Sequence, residues 1–207
     1  MTVGKFIVVE GLEGAGKSSV LSAIRTDLES KDIDCIETRE PGGTPLAESI
    51  RSLIKQHWQE SVSIETELMM MYAARSQLLE NRILPALKRG TWVIGDRHDL
   101  SSRAYQGGGR GVSESLITSI RAVTLKGFEP DLTIYLDVEP SIGLARARGR
   151  GELDRIETSG LAFFERVRET YRQLACDDPK IVIIDAMQTA EKVRSDVIAC
   201  IARFVGS

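Results

Sequence analysis

The chain has 207 residues, of which 42% are hydrophobic and 28% are charged, and its formal net charge is −3. This length suits one domain with a sizeable core, and the composition is that of an ordinary soluble globular protein. Because the net charge is slightly negative, nothing global indicates a nucleic-acid-binding surface, and a phosphate ligand would have to be attracted by local arginines. We find no apolar run as long as a membrane span and no secretory signal before the first predicted strand.

The three cysteines, Cys35, Cys176 and Cys200, are far apart and show neither a C-x-x-C motif nor a metal-ligand spacing. An odd number of scattered thiols is typical of reduced, packed cysteines rather than of a disulfide framework. This usage fits the cytosol, and we expect a cytoplasmic protein.

Short apolar strands alternate with helical segments along the chain. Lys5–Gly11 is a β-branched apolar run that ends at glycine, which is typical of a strand buried on both faces of a parallel sheet. Further strands are predicted at Asp34–Arg39, Thr91–Asp96, Leu132–Val138 and Ile181–Ala186. Helices are predicted at Lys17–Ser30, Pro45–His57, Ile64–Arg89, after a glycine-rich loop at Gly107–Gly111, and around the stripe Val193, Val197, Ile198, Ile201 and Phe204. This alternation predicts a doubly wound parallel α/β fold whose ligands bind at the carboxyl ends of the strands.

The segment Gly11–Ser18 reads GLEGAGKS and matches the phosphate-loop pattern G-x-x-x-x-G-K-[ST]. Its glycines let successive backbone N–H groups turn inward as an anion-binding nest, and the following helix directs its dipole at the same place. Lys17 should reach the β- and γ-phosphates, and Ser18 should ligate Mg²⁺. The predicted ATP-binding residues are Gly11, Leu12, Glu13, Gly14, Ala15, Gly16, Lys17, Ser18 and Ser19.

The phosphate loop alone does not separate a GTPase, an ATPase motor and a small-molecule kinase. The GTPase signature N-K-x-D is absent, and no strand ends in the D-E pair of a typical Walker B motif. The third predicted strand ends instead in Asp96-Arg97-His98. There Asp96 can hold Mg²⁺ through water, and Arg97 can fork onto phosphate oxygens. A surface salt bridge is the alternative for Arg97, and His98 could be a packed or a solvated imidazole.

Other arginines follow a strand or interrupt an apolar helix. Arg39 ends the second predicted strand before a Pro-Gly-Gly turn, and Arg75 follows the largely apolar run Met69–Ala74. A charge among such neighbours needs either a buried carboxylate or a ligand, and the sequence leaves both open.

The segment 144–157 reads LARARGRGELDRIE and carries Arg146, Arg148, Arg150 and Arg155. It is either a solvated basic loop or a glycine-hinged lid that brings arginines to a transferring phosphoryl group. Since the phosphate loop has no basic residue before Lys17, we favour the lid. Arg150 and Arg155 are ranked as catalytic beside Lys17 and Arg97, because Arg146 and Arg148 fit a helix end, where a cation favours the dipole.

Six segments resemble those of the thymidylate kinases, in that family's order and over essentially the whole chain: GLEGAGKS, TREPGGT, YAAR, GDRHDLSS-AYQGGGRG, PDLTIYLDV and RARGRGELDRIE. The acidic phosphate loop and the arginine-rich lid look like the bacterial type. The resemblance implies a P-loop NTPase-type three-layer αβα fold with strand order 2-3-1-4-5, one domain over 1–207 with a lid at about 146–158, and a homodimer formed through helices. It implies transfer of the γ-phosphoryl group of ATP-Mg²⁺ to dTMP, a step of dTTP biosynthesis, without a nucleic-acid or membrane partner.

The resemblance also implies the acceptor contacts. Glu13 would face the 3′-hydroxyl of dTMP, Arg75 would lie near thymine O4, and Arg97 would hold the phosphate. Met71 stands where many members stack a phenylalanine on thymine, so the stacking contribution stays open. The implied substrate contacts are Glu13, Arg39, Glu40, Met71, Arg75, Arg97, Ser102, Tyr105 and Gln106, and the predicted metal site is Ser18 with Asp96.

Two alternatives remain at this point. A deoxynucleoside kinase of the same fold would need a carboxylate base for its hydroxyl acceptor, and such kinases tend to show Glu-Arg-Ser where this chain has Asp96-Arg97-His98. A non-catalytic nucleotide-binding module would need neither acceptor arginines nor four arginines in a lid.

Overall fold

The computed structural model describes residues 3–149 and 154–206. The strands in this part of the chain are β1 (Phe6–Gly11), β2 (Cys35–Arg39), β3 (Trp92–Asp96), β4 (Leu132–Asp137) and β5 (Ile181–Asp185). They form one parallel sheet in the order β2-β3-β1-β4-β5. The predicted strands and the strand order are confirmed, and each predicted strand differs from the observed one by one residue at one end.

Strand β1 is buried along its whole length at the centre of the sheet. Helices cover both of its faces, which explains why its sequence is largely apolar rather than alternating, with Glu10 as the exception. Asp96 at the end of β3 pairs with Val9 of β1 and with Arg39 of β2. The register therefore brings the residues that follow β1, β2 and β3 to the same edge of the sheet.

The helices cover both faces of the sheet. They are α1 (Lys17–Glu29), α2 (Pro45–Lys55), α3 (Ile64–Leu78), α4 (Leu84–Lys88), α5 (Asp99–Ser102), α6 (Glu114–Leu125), α7 (Pro140–Arg148), α8 (Leu161–Asp177) and α9 (Ala190–Val205). Ile7 and Val9 belong to an apolar cluster with residues of α1, α8 and α9, whereas Phe6 and Val8 pack with residues of α3 and α4. The structure is thus the predicted three-layer αβα arrangement. Within residues 3–149 and 154–206, no helix has the length and apolar character needed to cross a membrane.

The predicted helical segment Ile64–Arg89 is confirmed as helical to Lys88, but it is not one regular α-helix. Helix α3 ends at Leu78, a π-helical turn covers Leu79–Ile83, and α4 begins at Leu84. Pro85, in the first turn of α4, has no N–H to donate and its ring crowds the preceding turn, so the regular hydrogen-bond ladder is interrupted there.

The predicted glycine-rich loop at Gly107–Gly111 is also largely wrong, because Arg103–Gly109 continues α5 as a π-helical segment. A Cβ atom on Gly108 would lie 1.9 Å from Oγ1 of Thr170, and one on Gly109 would lie 2.4 Å from the ring of Phe163. These glycines allow the segment to pack closely against α8. Their role at this position is therefore close packing rather than loop flexibility.

Candidate active site

A cavity of about 570 Å³ lies at the carboxyl ends of β1, β2 and β3. One side is the phosphate loop (Gly11–Ser18) with the start of α1. The opposite side, here called the acceptor wall, consists of Glu40, Met71, Arg75, Arg97, Ser102, Tyr105 and Gln106. Other predicted site residues in the lining are Glu13, Gly14, Gly16, Lys17, Ser18, Ser19, Arg39 and Asp96. The structure therefore brings all residues predicted for the acceptor and most of those predicted for ATP into one cavity. Gly11, Leu12 and Ala15 of the predicted ATP site are not in its lining.

Gly14 and Gly16 of the phosphate loop require glycine for different reasons. Gly14 has a φ of 74°, and a Cβ atom there would lie 2.2 Å from the carbonyl oxygen of Gly143. Gly16 has a φ of 93° and immediately precedes α1, with open space where a Cβ atom would be. At Gly16 the left-handed backbone conformation alone requires glycine. At Gly14 the same conformation is combined with a close approach to α7 that leaves no room for a side chain.

Lys17 lies folded over the loop. Its Nζ donates hydrogen bonds to the carbonyl oxygens of Gly11 at 3.1 Å and Leu12 at 3.2 Å. Burial, followed by the charge of Arg97, lowers the pKa of Lys17 to about 8. The ammonium group is thus held at the nest by weak neutral acceptors, and phosphate oxygens would be stronger partners.

Asp96 and Ser18 fit a magnesium ion that arrives with a nucleotide. Both line the cavity, and the Oδ1 atom of Asp96 is buried without a hydrogen-bond partner in the part of the chain that the structure describes. Among residues 3–149 and 154–206, no group of three or more His, Cys, Asp or Glu side chains is placed to hold a metal by itself. Mg²⁺ commonly binds through one or two protein oxygens together with substrate phosphates and water, which suits this donor set.

Arg97 and Glu13 join the two sides of the cavity. The Nη2 atom of Arg97 donates to Oε1 of Glu13 at 2.6 Å, and the hydroxyl group of Tyr105 donates to Oε2 of Glu13 at 2.8 Å. The guanidinium carbon of Arg97 lies 4.9 Å from the centre of the Tyr105 ring. Arg97 has a φ of 69°, a left-handed conformation that is uncommon outside glycine and often found at functional sites.

Glu10, which the sequence reasoning missed, shares two hydroxyl neighbours with Arg97, because Nη1 of Arg97 also contacts Ser101 and Tyr171. It is fully buried in β1 and accepts hydrogen bonds from the backbone N–H groups of His98 at 2.8 Å and Ser101 at 3.2 Å. It also accepts from the hydroxyl groups of Ser101 and Tyr171 at 2.6 Å and 2.8 Å. Burial raises the pKa of Glu10, against the opposing effect of Arg97. A carboxylate inside an otherwise apolar strand was the signal in the sequence.

Arg75 is 2% exposed and lies in a network of buried polar groups. Its Nε donates to Oε2 of Glu40 at 2.7 Å, and its Nη2 donates to the carbonyl oxygen of His98 at 3.0 Å and to Oγ of Ser102 at 2.9 Å. Its Nη1 lies 3.6 Å from Oδ1 of Asp99 and has no hydrogen-bond partner among the described residues. The sequence left a carboxylate partner or a ligand open, and the structure supplies the carboxylate while Arg75 also lines the cavity.

The Glu40 carboxylate also decides between the two alternatives for His98. His98 is 1% exposed, its Nδ1 lies 2.7 Å from Oε1 of Glu40, and its ring packs edge-on against Phe6. His98 is therefore the packed imidazole of the two alternatives, and it does not line the cavity. Burial would raise the pKa of Glu40, but Arg75 and His98 together lower it.

Arg39 and Arg51 add positive charge to the mouth of the cavity. Arg39 is 56% exposed and its Nη2 lies 2.9 Å from Oε2 of Glu48. Arg51, which the sequence reasoning missed, donates from Nη1 to the carbonyl oxygen of Pro41 at 2.7 Å. Burial, followed by the charge of Arg39, lowers the pKa of Arg51. Two cations on one wall favour an anionic acceptor.

The predicted lid lies only partly within the described residues. Arg146 and Arg148 are in the last turn of α7, as predicted, and Nη1 of Arg146 lies 3.4 Å from the carbonyl oxygens of Gly14 and Ala186. Arg150, the first of the two ranked catalytic arginines, lies outside the described residues, so its role stays a prediction.

Arg155, the second ranked lid arginine, is held against α2 and α3. Its Nη1 lies 2.8 Å from Oε2 of Glu67, and its Nε donates to the carbonyl oxygen of Ile54 at 3.0 Å. Its Nη2 is buried without a partner in the described part, and the side chain is not in the cavity lining, unlike Asp154 and Glu157 on either side. The catalytic role of Arg155 therefore also stays a prediction.

Glu67 is a second buried carboxylate that the sequence reasoning missed. It is 2% exposed in α3 and accepts a hydrogen bond from Nε2 of Gln106 at 2.9 Å as well as ion pairs from Arg110 and Arg155. Glu67, Met71 and Arg75 are four residues apart, so they share one face of α3. Because Met71 and Arg75 were already predicted to be site residues, this spacing of four could have identified Glu67 on the same face of α3.

Comparison with known proteins agrees with this geometry. A family model described as thymidylate kinase matches residues 9–197. The thymidylate kinase of Alteromonas mediterranea is 62% identical over 202 residues, which cover 98% of this chain and 91% of the relative. Those of Colwellia psychrerythraea and Pseudoalteromonas translucida are both 57% identical, over 99% and 97% of this chain and 97% and 96% of the relatives. The chain belongs to the thymidylate kinase family.

Proposed function

We propose that this chain transfers the γ-phosphoryl group of ATP to dTMP, which yields ADP and dTDP in a step of dTTP biosynthesis. The observation that carries the proposal is that one cavity holds both a phosphate loop with Lys17 and an arginine-bearing acceptor wall with Arg75 and Arg97. Membership of the thymidylate kinase family supports the same reaction. The chain would act as one nucleoside-monophosphate kinase domain with a lid at about 146–158.

The donor side grips the triphosphate. The N–H groups of the phosphate loop face the β-phosphate, and Lys17 exchanges its two carbonyl partners for β- and γ-phosphate oxygens. Ser18, with Asp96 through water, would hold Mg²⁺, which when bound neutralises charge between the β- and γ-phosphates. Asp96 then gains a partner for its buried Oδ1 atom.

The acceptor side aligns a second anion. The dTMP phosphate is already ionised, so no strong general base is needed and catalysis consists of positioning and charge neutralisation. Arg97 would hold this phosphate in line with the γ-phosphoryl group, with Arg39 adding charge at the mouth. Glu13, once displaced from Arg97, would accept a hydrogen bond from the 3′-hydroxyl group of the deoxyribose. Ser102 and Tyr105 line the space beside them.

Two unpaired polar atoms of the acceptor wall match thymine. Nη1 of Arg75 lies 3.6 Å from the Asp99 carboxylate but has no hydrogen-bond partner in the described part of the chain, and Oε1 of Gln106 is a buried acceptor without one. Thymine offers O4 to the first and N3–H to the second, whereas cytosine offers an amino group and a bare N3. Each unpaired buried group costs about 1–3 kcal/mol, so dTMP should be preferred strongly over dCMP. Met71 lies in the wall where it can pack on the base.

The lid would complete the charge neutralisation. Arginine fingers in phosphoryl transfer are worth about 10³–10⁵ in rate, and the phosphate loop has no basic residue before Lys17. Arg150 and Arg155 are the candidates for this role. Closure of the segment that carries them would also exclude water from the transferring group.

The test is a coupled assay with ATP-Mg²⁺ and a panel of acceptors: dTMP, dUMP, dCMP, dGMP and thymidine. We expect dTMP to have the highest kcat/KM, and a Lys17→Ala preparation serves as the blank. Equal use of dTMP and dCMP would refute the assignment. A preference for thymidine would favour a nucleoside kinase, and nucleotide binding without turnover on any acceptor would favour a non-catalytic module.

We also propose that the protein is a homodimer formed through α2, α3 and α6. Helix α3 packs against both α2 and α6. Large apolar side chains are exposed on these three helices at Leu46, Leu53, Met69, Leu116 and Val123. Large apolar side chains exposed on adjoining helices are the kind of surface that a protein–protein interface covers.

Light scattering at micromolar concentration tests the dimer. We expect a dimer mass for the unmodified chain and a monomer mass for Met69→Glu, since a buried unpaired charge would oppose association. Met187→Glu is the matched control, because Met187 is also exposed but follows β5, away from these helices. A monomer mass for the unmodified chain would contradict the proposal.

The cytoplasm is the location that we propose. Cys35, Cys176 and Cys200 are all free, and disulfides are rare in cytosolic proteins. ATP and dTMP are small soluble substrates, so the proposed reaction needs neither a membrane nor a nucleic acid. Recovery of the protein in the membrane fraction of lysed source cells would contradict this location.

A further inference from the structure

The carboxylate of Glu67 has a defined neighbourhood but no contact with the cavity, which it does not line. It lies on α3 one turn before Met71. One oxygen accepts from Nε2 of Gln106 at 2.9 Å, and the other lies 2.8 Å from Nη1 of Arg155. Arg110 reaches both oxygens, from Nε at 3.3 Å and from Nη2 at 3.4 Å. Every observed partner of this carboxylate is a donor.

Gln106 is the only one of these partners, within the described residues, that also lines the cavity. Its side-chain amide has a donor end and an acceptor end of nearly the same shape, so packing alone does not decide which end faces a ligand. An ionised carboxylate can only accept hydrogen bonds. Glu67 therefore attracts the NH₂ end of the amide, and Oε1, which has no partner in the described part of the chain, is left at the other end.

We propose that Glu67 is a positioning residue for base selection, which fixes the side-chain amide of Gln106 so that its oxygen, and not its NH₂ group, is presented to the base. This inference rests on the proposed function, since it concerns the same acceptor site. With the oxygen presented, the site accepts the N3–H group of thymine and opposes the bare N3 of cytosine. With the amide turned over, the NH₂ group would donate to N3 of cytosine and oppose thymine.

The surroundings of Glu67 keep it in the acceptor-only form. Burial by itself would raise the pKa of this carboxyl group, but the hydrogen bond from Gln106 and the charges of Arg110 and Arg155 lower it. Two arginines around one buried carboxylate also hold it in place without touching the cavity. Glu67 thus serves base selection through Gln106 rather than by contact with the substrate.

The deciding variant is Glu67→Gln, which keeps the size of the side chain but gives it both a donor and an acceptor. Gln106 can then turn either end toward the base. We expect the ratio of kcat/KM for dTMP to kcat/KM for dCMP to fall by about tenfold, mainly through a higher KM for dTMP and a lower KM for dCMP, with kcat for dTMP less affected.

Arg110→Ala is the matched control for loss of an ion pair. It removes one cation from the same carboxylate, but Arg155 stays paired with it and keeps it ionised, so the dTMP/dCMP ratio should stay that of the unmodified enzyme. Melting temperatures of both variants are measured beside the kinetics. If both variants lower the melting temperature and both leave the ratio unchanged, Glu67 is only structural and the proposal is overturned.

A double-mutant comparison tests whether Glu67 acts through Gln106. In a Gln106→Met background there is no amide to orient, so adding Glu67→Gln should leave the ratio where Gln106→Met has put it. If Glu67→Gln lowers the dTMP/dCMP ratio in that background as much as it does in the unmodified protein, the proposal is overturned. If the unmodified protein does not phosphorylate dTMP, the proposed function fails and this inference with it. If it does and Glu67→Gln keeps the full ratio, the inference alone fails.

Should Glu67→Gln not fold, the unmodified protein with bound dTMP decides by NMR. The side-chain amide protons of Gln106 should show nuclear Overhauser contacts to the Glu67 side chain and none to the thymine ring. Amide protons that contact thymine instead would overturn the proposal.

Discussion

The two sides of the cavity are built differently. The phosphate loop is one contiguous segment whose conformation depends on glycines, and mostly backbone N–H groups would contact a nucleotide phosphate there. The acceptor wall consists of side chains from distant segments that are joined by buried ion pairs, such as Arg75 with Glu40, 35 residues apart. A change on the donor side should therefore remove rate and spare stability, whereas a change in the acceptor wall should affect both.

On the donor side, Lys17→Ala should give the largest loss of activity that we expect from any single change. Turnover should fall by about 10²–10³, since a fixed positive charge at the transferring group is lost. The melting temperature should hardly change, because Nζ contacts only two loop carbonyl groups and no core atom is removed. A coupled assay and a melting curve on one preparation, with Lys31→Ala as the control, decide it. Activity above about a tenth of the unmodified value would contradict an essential charge.

The lid arginines should give the next largest effect. Alanine at one or more of Arg146, Arg148, Arg150 and Arg155 should lower kcat by about 10², or roughly 2.7 kcal/mol, with little change in KM for dTMP. Arg155→Ala should in addition lower the melting temperature, because buried Glu67 loses one of its two cations. Single-variant kinetics with both substrates decide it. If all four variants keep nearly normal kcat, the lid is only a cover.

Arg75→Ala is the corresponding change in the acceptor wall, and it should lower both the selectivity for dTMP and the stability of the fold. Loss of Arg75 leaves Glu40 buried without its main cation, which should cost about 3–5 kcal/mol of unfolding free energy. The preference for dTMP over dCMP should also erode. Arg39→Ala is the matched control: Arg39 is half exposed and paired with Glu48, so its loss should cost only about 0–1 kcal/mol. Denaturant unfolding that gives equal losses for both variants would refute the distinction.

A smaller effect should appear in the pH profile. The pKa of Lys17 is lowered to about 8, so the free enzyme loses this charge as the pH rises above that value. kcat/KM for ATP, which reports the free enzyme, should therefore decline above about pH 8. Bound phosphates favour the charged form, so kcat should persist to higher pH. Lys17→Arg should show no such decline, and a flat kcat/KM profile for the unmodified enzyme up to about pH 9.5 would contradict the assignment.

The same difference between the two sides decided how much could be predicted from the sequence. The strands and the phosphate loop are local patterns, and their bounds were predicted within a residue. The partner of Arg75 was not predictable, because its pairing with Glu40 depends on how β2, β3 and α3 come together. Glu10 and Glu67 are charges within apolar patterns, so their sequence marked them as unusual but could not name their donors.

The glycines after α5 show a further limit. The glycines of Gly107–Gly111 predict a loop from the sequence, although glycine is frequent in loops and in closely packed segments alike. Only the positions of Phe163 and Thr170 on α8 distinguish the two uses. Those neighbours lie more than fifty residues away in sequence, so no local pattern contains the information.

The contact between Glu13 and Arg97, at 2.6 Å, makes occupation of the acceptor site an exchange of anions rather than a simple addition. Any phosphate that binds Arg97 displaces a carboxylate that is already its partner, so its net gain is only the difference between two anionic partners. Inorganic phosphate or sulfate would leave Glu13 without a donor in return. A nucleoside monophosphate, on the proposed role of Glu13, restores that donor with its 3′-hydroxyl group. The enzyme should thus resist inhibition by free inorganic phosphate while remaining able to bind its substrate.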